Sequence, residues 1–222
     1  MKKAILDNKT VIVVAGGTRE YIDDVRVLTN ISSGKLGAEI ADALYYEGAN
    51  VIYIYAKGSV LPNGLDIKHI EISTVADLVS TLENLTDITP DGVIMAVAAS
   101  DFTFKRDVPI KLKSNDPEAF IEYMRQTITT NPKVISKIKE WFPETYLVGF
   151  KFEVGLEHEQ LIEIARESMR KNKADIVIAN DKAEMEKSKQ HIGYLVTEDN
   201  EIRCENKDDI GHRLVEHLTN VL

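Results

Sequence analysis

The chain of 222 residues contains a single cysteine, Cys204. One thiol cannot build an intramolecular disulfide framework or a cysteine-rich zinc site. Cys204 lies in a polar, charged stretch with no glycine-serine elbow, so it reads as a structural cysteine and not a nucleophile. No apolar run approaches the length needed to span a bilayer. Met1-Lys2-Lys3 is basic, but only Ala4-Ile5-Leu6 precedes Asp7, which makes no signal-peptide core. Together these features point to a cytoplasmic protein without a membrane partner. A basic excess is also missing. The formal net charge is −9, which argues against broad nucleic-acid binding, because that needs a positive footprint. His69, His158, His191, His212 and His217 show no metal-ligand spacing with carboxylates, and metal ligands stay unknown from the sequence. Neither G-x-G-x-x-G nor the Walker pattern G-x-x-x-x-G-K-[ST] occurs.

What is present starts near the N-terminus. Val11-Ile12-Val13-Val14-Ala15 has a buried-strand pattern and leads into the loop Gly16-Gly17-Thr18-Arg19-Glu20. Asn30-Ile31-Ser32-Ser33-Gly34-Lys35-Leu36-Gly37 then opens an apolar-periodic helix running to about Glu47. A strand, a glycine-bearing loop and a helix N-terminus suit a phosphate, because first-turn N–H groups lack partners and the helix dipole favours an anion. Arg19, Arg26 and Lys35 add positive charge. Taken alone, the loop is equally compatible with a tight turn and a capped helix. Between Ser100 and Asn115, Lys105, Arg106, Lys111 and Lys113 face only Asp101 and Asp107. A local positive patch on an acidic protein suits a polyphosphate ligand.

Strand-like and helix-like runs alternate along the chain. Val51–Tyr55, Ile67–Ile72, Asp91–Ala98, Tyr146–Phe150 and Asp175–Ala179 read as strands. Thr74–Leu85, Pro132–Trp141 with Asn131 as its cap, Glu157–Lys171 and about Asp208–Leu222 read as helices. The alternation implies an α/β, Rossmann-like, doubly wound and mostly parallel sheet with helices on both faces. One domain, 1–222, is expected. Two segments break the pattern, at about 102–126 and 184–205. Within the first, Ile121-Glu122-Tyr123-Met124 reads as strand; the second reads as a hairpin. They are expected to form a small strand-rich flap over the ligand edge, or a dimer interface. In doubly wound sheets ligands sit beyond the carboxyl ends of the strands. Gly16-Gly17, Ala99-Ser100-Asp101, Phe150-Lys151 and Asn180-Asp181 each follow a buried strand and should meet at one rim.

Gly16-Gly17-Thr18-Arg19-Glu20, Ile22-Asp23-Asp24-Val25-Arg26, Asn30–Gly37, Ala96–Asp101, Lys111-Leu112-Lys113, Asn131-Pro132, Val148-Gly149-Phe150 and Ala179-Asn180-Asp181 resemble, in order and spacing, the phosphopantothenate–cysteine ligases of coenzyme A biosynthesis. The likeness covers nearly the whole chain and looks like the stand-alone form. It implies a ligase that joins the carboxylate of 4′-phosphopantothenate to the amine of L-cysteine. It implies a nucleoside triphosphate, CTP or ATP, cleaved to the monophosphate and pyrophosphate through an acyl-nucleotidylate, together with Mg2+ and a homodimer.

The resemblance also implies roles. Gly16, Gly17, Ser33, Gly34 and Gly37 belong to the anion-binding loops, and Asn30 engages the acyl-nucleotidylate. Arg26 faces the substrate phosphate or carboxylate. Lys111 neutralises the triphosphate in the first step. Lys113, on the same side of an extended strand, shares that work. Ala98, Ala99 and Asp101 cradle the nucleotide, as do Asn131, Pro132 and Val134. Phe150 lies against the base. Lys171 matches a lysine before the next strand, while its partner one turn earlier falls near Glu167, which leaves nucleotide choice open. Two other readings compete. Tyr53-x-x-x-Lys57 has the spacing of a short-chain reductase, but it sits in a strand-like run where i and i+4 do not stack as on a helix. A non-catalytic nucleotide sensor would share the same sheet.

Overall fold

The computed structural model describes residues 5–106, 111–113 and 115–222. Strand β1 (Thr10–Gly17) is buried along both faces: Val11, Val13 and Ala15 enter one core, Ile12 and Val14 the other. A short hairpin of β2 (Arg19–Tyr21) and β3 (Val27–Thr29) follows, then α1 (Lys35–Tyr46). The chain continues through β4 (Asn50–Ala56), β5 (Lys68–Ile72), α2 (Val75–Glu83) and β6 (Gly92–Ala98). Next come β7 (Phe102–Phe104), α3 (Pro117–Thr127) and β8 (Ile128–Thr130). A tight helical turn (Val134–Lys137), α4 (Ile138–Trp141), β9 (Tyr146–Glu153) and α5 (His158–Asn172) lead to β10 (Ile176–Asp181). The chain closes with α6 (Lys182–Ser188), β11 (Gly193–Val196), β12 (Glu201–Cys204) and α7 (Lys207–Val221).

The main sheet has 8 strands in the order β12-β11-β10-β9-β6-β1-β4-β5. Every pairing from β10 to β5 is parallel, and β11 and β12 add antiparallel. This is the doubly wound sheet expected from the alternation. Helices α1 and α7 cover one face; α2, α4 and α5 cover the other. The chain leaves β1 for β4 on one side and later fills β6 on the other, so the strand order reverses between β1 and β6. A crevice opens at such a switch point, beyond the carboxyl ends of the strands. Among the described residues no helix is long and apolar enough to cross a membrane.

Local chemistry explains the elements. Helix α2 starts where the Thr74 hydroxyl accepts the Asp77 N–H and the Asp77 carboxylate accepts the Thr74 N–H. Its Val75, Leu78 and Leu82 stripe then enters the core. Leu78 is 0% exposed; Leu78→Ala is therefore expected to cost about 2–5 kcal/mol of stability, read as a lower denaturant midpoint.

Four local expectations are corrected. Residues 121–124 lie inside α3 and form no strand. Asp116 caps that helix, Pro117 opens it, and Glu122 pairs with Arg125 one turn on. No residue of α3 is buried, although Phe120, Ile121 and Met124 fall at helical spacing along it. The 193–204 hairpin is the edge of the main sheet and no flap over it. All four residues of β11 are buried, which requires cover on both faces. Asn131 does not cap a helix. Its side chain donates to the Ser100 and Phe102 carbonyls at 3.0 and 3.3 Å, and the 132–141 run splits into the tight turn and α4. Residues 111–113 form no strand; side chains of the β2–β3 turn hold their backbone instead. The rest of the expected flap, residues 107–110 and 114, lies outside the described residues.

Candidate active site

The glycines lie at the switch point. Gly16 pairs with Val97, and Gly17 pairs with Ala98, across the ends of β1 and β6. Gly16 has φ +91°, and a Cβ there would stand 1.9 Å from Ser59 Oγ. At Gly17 a Cβ would stand 2.5 Å from the Asn30 carbonyl oxygen. Gly34 starts α1 in a left-handed conformation, with no side-chain cap and no acidic residue in the first turn. Four other helices are capped by Thr74, Asp116, Asp181 and Asn206. The α1 terminus therefore keeps its N–H groups and its dipole available to an anion. Gly37 seats α1 on β1, where a Cβ would fall 2.5 Å from Ala15 Cβ. Its missing side chain serves packing. Ser33 is exposed, and its Oγ makes a long contact, 3.4 Å, with the Lys35 N–H.

The second wall joins segments distant in sequence. The Asn30 amide donates to the Ala99 carbonyl at 3.1 Å and reaches Ala98 at 3.5 Å. Thr18, fully buried, accepts the Ser100 N–H at 2.9 Å. The Asn131 N–H donates to the Asp101 carbonyl at 2.9 Å, and Lys133 pairs with the Asp101 carboxylate at 2.5 Å. Gly17, Asn30, Ala98, Ala99, Asp101 and Asn131 are thereby brought to one rim. Pro132 is exposed beside Asn131, whereas Val134 is buried in the core.

The third wall is cationic. Arg26 pairs with Asp23, donates to the Leu112 carbonyl at 3.3 Å, and lies 5.6 Å from the Phe120 ring centroid. With Lys113, Asp116, Pro117, Phe120 and Ile121 it lines a cavity of about 320 Å3. Lys111 and Lys113 are exposed. Asp23 is fully buried. Burial alone would push its carboxyl up, but N–H groups of Val25, Leu112 and Arg26, with the Arg26 charge, hold it below the usual range. It stays ionised beneath the arginine. A glycine-lined helix start and a donor amide meet at the switch point, and the cationic wall stands on the β2–β3 hairpin that leads into Asn30; each can receive an anion.

The family described as DNA/pantothenate metabolism flavoprotein C-terminal domain matches residues 6–222. The chain belongs to this family. It is 40% identical, over 176 residues, to the Coenzyme A biosynthesis bifunctional protein CoaBC of Thermococcus kodakarensis, covering 79% of this chain and 42% of that protein. The protein of the same name from Methanocaldococcus jannaschii is 32% identical over 220 residues, covering 96% of this chain and 51% of that one. The chain thus spans about half the length of these curated relatives. The crystal structure of the DNA/pantothenate metabolism flavoprotein from Streptococcus pneumoniae matches with a TM-score of 0.82 at 29% identity, covering 96% of this chain and 98% of that chain.

Against the family fold, two sequence-derived residues stand apart. Phe150 lies inside β9, half-buried against the core beneath α1 and α7. Lys171 is exposed at the last turn of α5, beside the start of β10. That helix runs from the carboxyl rim to the opposite one, about 20 Å away at 1.5 Å per residue. Tyr53 is buried within β4 and donates to the Val60 carbonyl at 2.9 Å, while Lys57 is exposed beyond the strand, so the pair forms no reductase dyad. Cys204 is buried, and burial together with the Asp209 charge pushes its thiol up to about 11, which suits packing and not nucleophilic attack. Residues not singled out from sequence also shape the rim. Thr18 and Glu20 turn inward, and Glu20 accepts from the Val75 N–H and the Thr103 hydroxyl at 2.8 and 2.6 Å. Ser59 nests against Gly16 and Gly34. The Asp-x-x-Arg spacing at Asp23 and Arg26 is the one signal that could have exposed the buried pair, since Asp favours such turns.

Proposed function

We propose that this domain is a phosphopantothenate–cysteine ligase. The observation that carries the reading is the meeting of the uncapped α1 terminus and the Asn30 amide with the β1 and β6 strand ends at the switch point, while Arg26, on the hairpin that leads into Asn30, lines a separate cavity with Lys113. Relatives named for coenzyme A biosynthesis support the pathway. A carboxylate resists amines because oxide is a poor leaving group. One carboxylate oxygen of 4′-phosphopantothenate attacks the α-phosphorus of CTP or ATP, and pyrophosphate leaves. The cysteine amine then attacks the acyl carbon, loses a proton, and the nucleoside monophosphate leaves. Ser33, Gly34 and Gly37 offer backbone N–H groups to phosphate. Arg26 and Lys113 hold the negative end of phosphopantothenate, and Lys111 offsets the triphosphate charge. Asn30, freed from Ala99, donates to the acyl oxygen. Ala98, Ala99, Asp101 and Asn131 form the nucleotide wall.

Among the described residues no group of three His, Cys, Asp or Glu side chains could hold a metal. Mg2+ would then enter on the triphosphate. The expected homodimer would bury the apolar residues exposed around β7, α3 and β8, namely Phe102, Ile121 and Ile128.

Mixing the protein with phosphopantothenate, cysteine and either nucleotide tests the reading. Pyrophosphate should appear only with phosphopantothenate present, and phosphopantothenoylcysteine only with cysteine. No pyrophosphate with CTP or with ATP would sink it and favour a nucleotide sensor. Asn30→Ala should slow product formation about tenfold, the worth of one net hydrogen bond, while pyrophosphate release continues. The acyl-nucleotidylate should accumulate in quenched samples.

A further inference from the structure

We infer that the turn between β2 and β3 anchors the basic segment, with Asp23 as the positioning residue that sets Arg26 and Lys111 in register for the first chemical step. The inference rests on the ligase reading of the site and deepens it. Adjacent carboxylates tie two points of the segment. Asp24 pairs with Arg106, and Asp23 accepts the Leu112 N–H at 3.1 Å. Leu112 sits between the two exposed lysines. Its carbonyl also accepts from Arg26, so the Leu112 peptide is gripped from both sides.

Asp23 divides its oxygens between two tasks. Oδ1 accepts the Val25 and Arg26 N–H groups at 2.9 and 2.7 Å and closes the turn. Oδ2 takes the Arg26 guanidinium and the Leu112 N–H. The second oxygen is therefore the only atom of Asp23 that joins the arginine to the lysine segment. Hydrogen bonds to an ionised acceptor are shorter and stronger than neutral ones, and Asp23 is removed from water. An exposed pair of lysines gains a fixed backbone in this way, which matters because small misplacements at a reacting site are expensive in rate.

Asp23→Asn keeps the turn acceptor and puts a donor against Leu112 and Arg26; Asp23→Ser keeps a shorter turn acceptor and removes the reach. Hydrogen exchange on the wild-type chain comes first. The Leu112 amide should exchange more slowly than the amides of Lys111 and Lys113, and both variants should lose that protection. Pyrophosphate release should fall about tenfold or more, whereas reaction of cysteine with preformed acyl-nucleotidylate should keep its wild-type rate. A merely structural residue would slow both steps equally, and that result overturns the inference. So does a wild-type Leu112 amide as labile as its neighbours, a measurement that needs no variant to fold. So does full pyrophosphate release in a variant that has lost the protection. If the wild type releases no pyrophosphate, the ligase reading fails by itself, and Leu112 protection still decides the tether.

Discussion

Lys111→Ala is expected to cut phosphopantothenate-dependent pyrophosphate release by about 10²- to 10³-fold, the range for losing one preorganised charge-stabilising group. In the proposed ligase reaction the first step brings a carboxylate and a triphosphate together on a protein that carries −9. Charges of one sign resist that approach unless a fixed cation stands between them. Lys111 is exposed, so its removal should change stability by no more than about 0.5 kcal/mol. The neighbouring peptide is held by Asp23 and Arg26, so the backbone keeps its place in the variant. Lys105 supplies the control. It is exposed on the same segment, and its N–H bonds the Thr127 carbonyl near β8. If Lys111 acted only through general positive potential, Lys105→Ala would cost as much, and both losses would vanish at high salt. Single-turnover pyrophosphate release at saturating nucleotide decides the matter. A wild-type rate in Lys111→Ala removes it from the first step.

The sheet is legible in the sequence because β1, β6, β9 and β10 are buried on both faces for much of their length and read as continuous apolar runs. Helices with a buried stripe, such as α1, α2 and α7, are equally plain. Helix α3 is misread because residues 121–124 alone alternate like a strand, whereas the wider spacing of Phe120, Ile121 and Met124, with Asp116 and Pro117 before them, marks a helix. The hairpin of β11 and β12 is recognisable as a hairpin, but whether it folds over a sheet or extends it depends on pairing with β10, which short runs do not encode. The same divide runs through the site. The glycine positions and Asn30 carry motif signals that the fold gathers at one rim. Thr18 and Glu20 belong to the same motif, yet their side chains brace neighbouring strand ends. Residue type alone does not distinguish a ligand-facing polar group from a buried brace. Lys171 stands apart for a topological reason, since a crossover helix after β9 delivers its last turn to the rim opposite the glycines.

Gly17→Ala is expected to lower ligase turnover by about 100-fold, the cost of roughly an ångström of misplacement at a reacting site. Gly17 is not among the glycines with positive φ, so alanine meets no backbone strain there and only space is at issue. The new Cβ would stand 2.5 Å from the Asn30 carbonyl oxygen and 3.3 Å from Thr29 Oγ1. Ordinary contact begins at 3.4 Å, so the oxygen must retreat. That backbone also carries the Asn30 amide, now 3.1 Å from the Ala99 carbonyl, and a retreat of this size takes it out of hydrogen-bond reach. Strand β1 pairs Gly17 with Ala98 and cannot follow without disturbing β6, so the displacement falls on the loop. Overpacking of this kind should also cost about 1–3 kcal/mol of stability. Asn30→Ala loses the amide but keeps the loop, so its smaller penalty separates the two effects. In a double-mutant cycle, adding Asn30→Ala to Gly17→Ala should cost little more, because the loop has already withdrawn that group. Full additivity would show that Gly17 acts elsewhere, and wild-type turnover in Gly17→Ala would show that the close approach at the end of β1 does not position Asn30 at all.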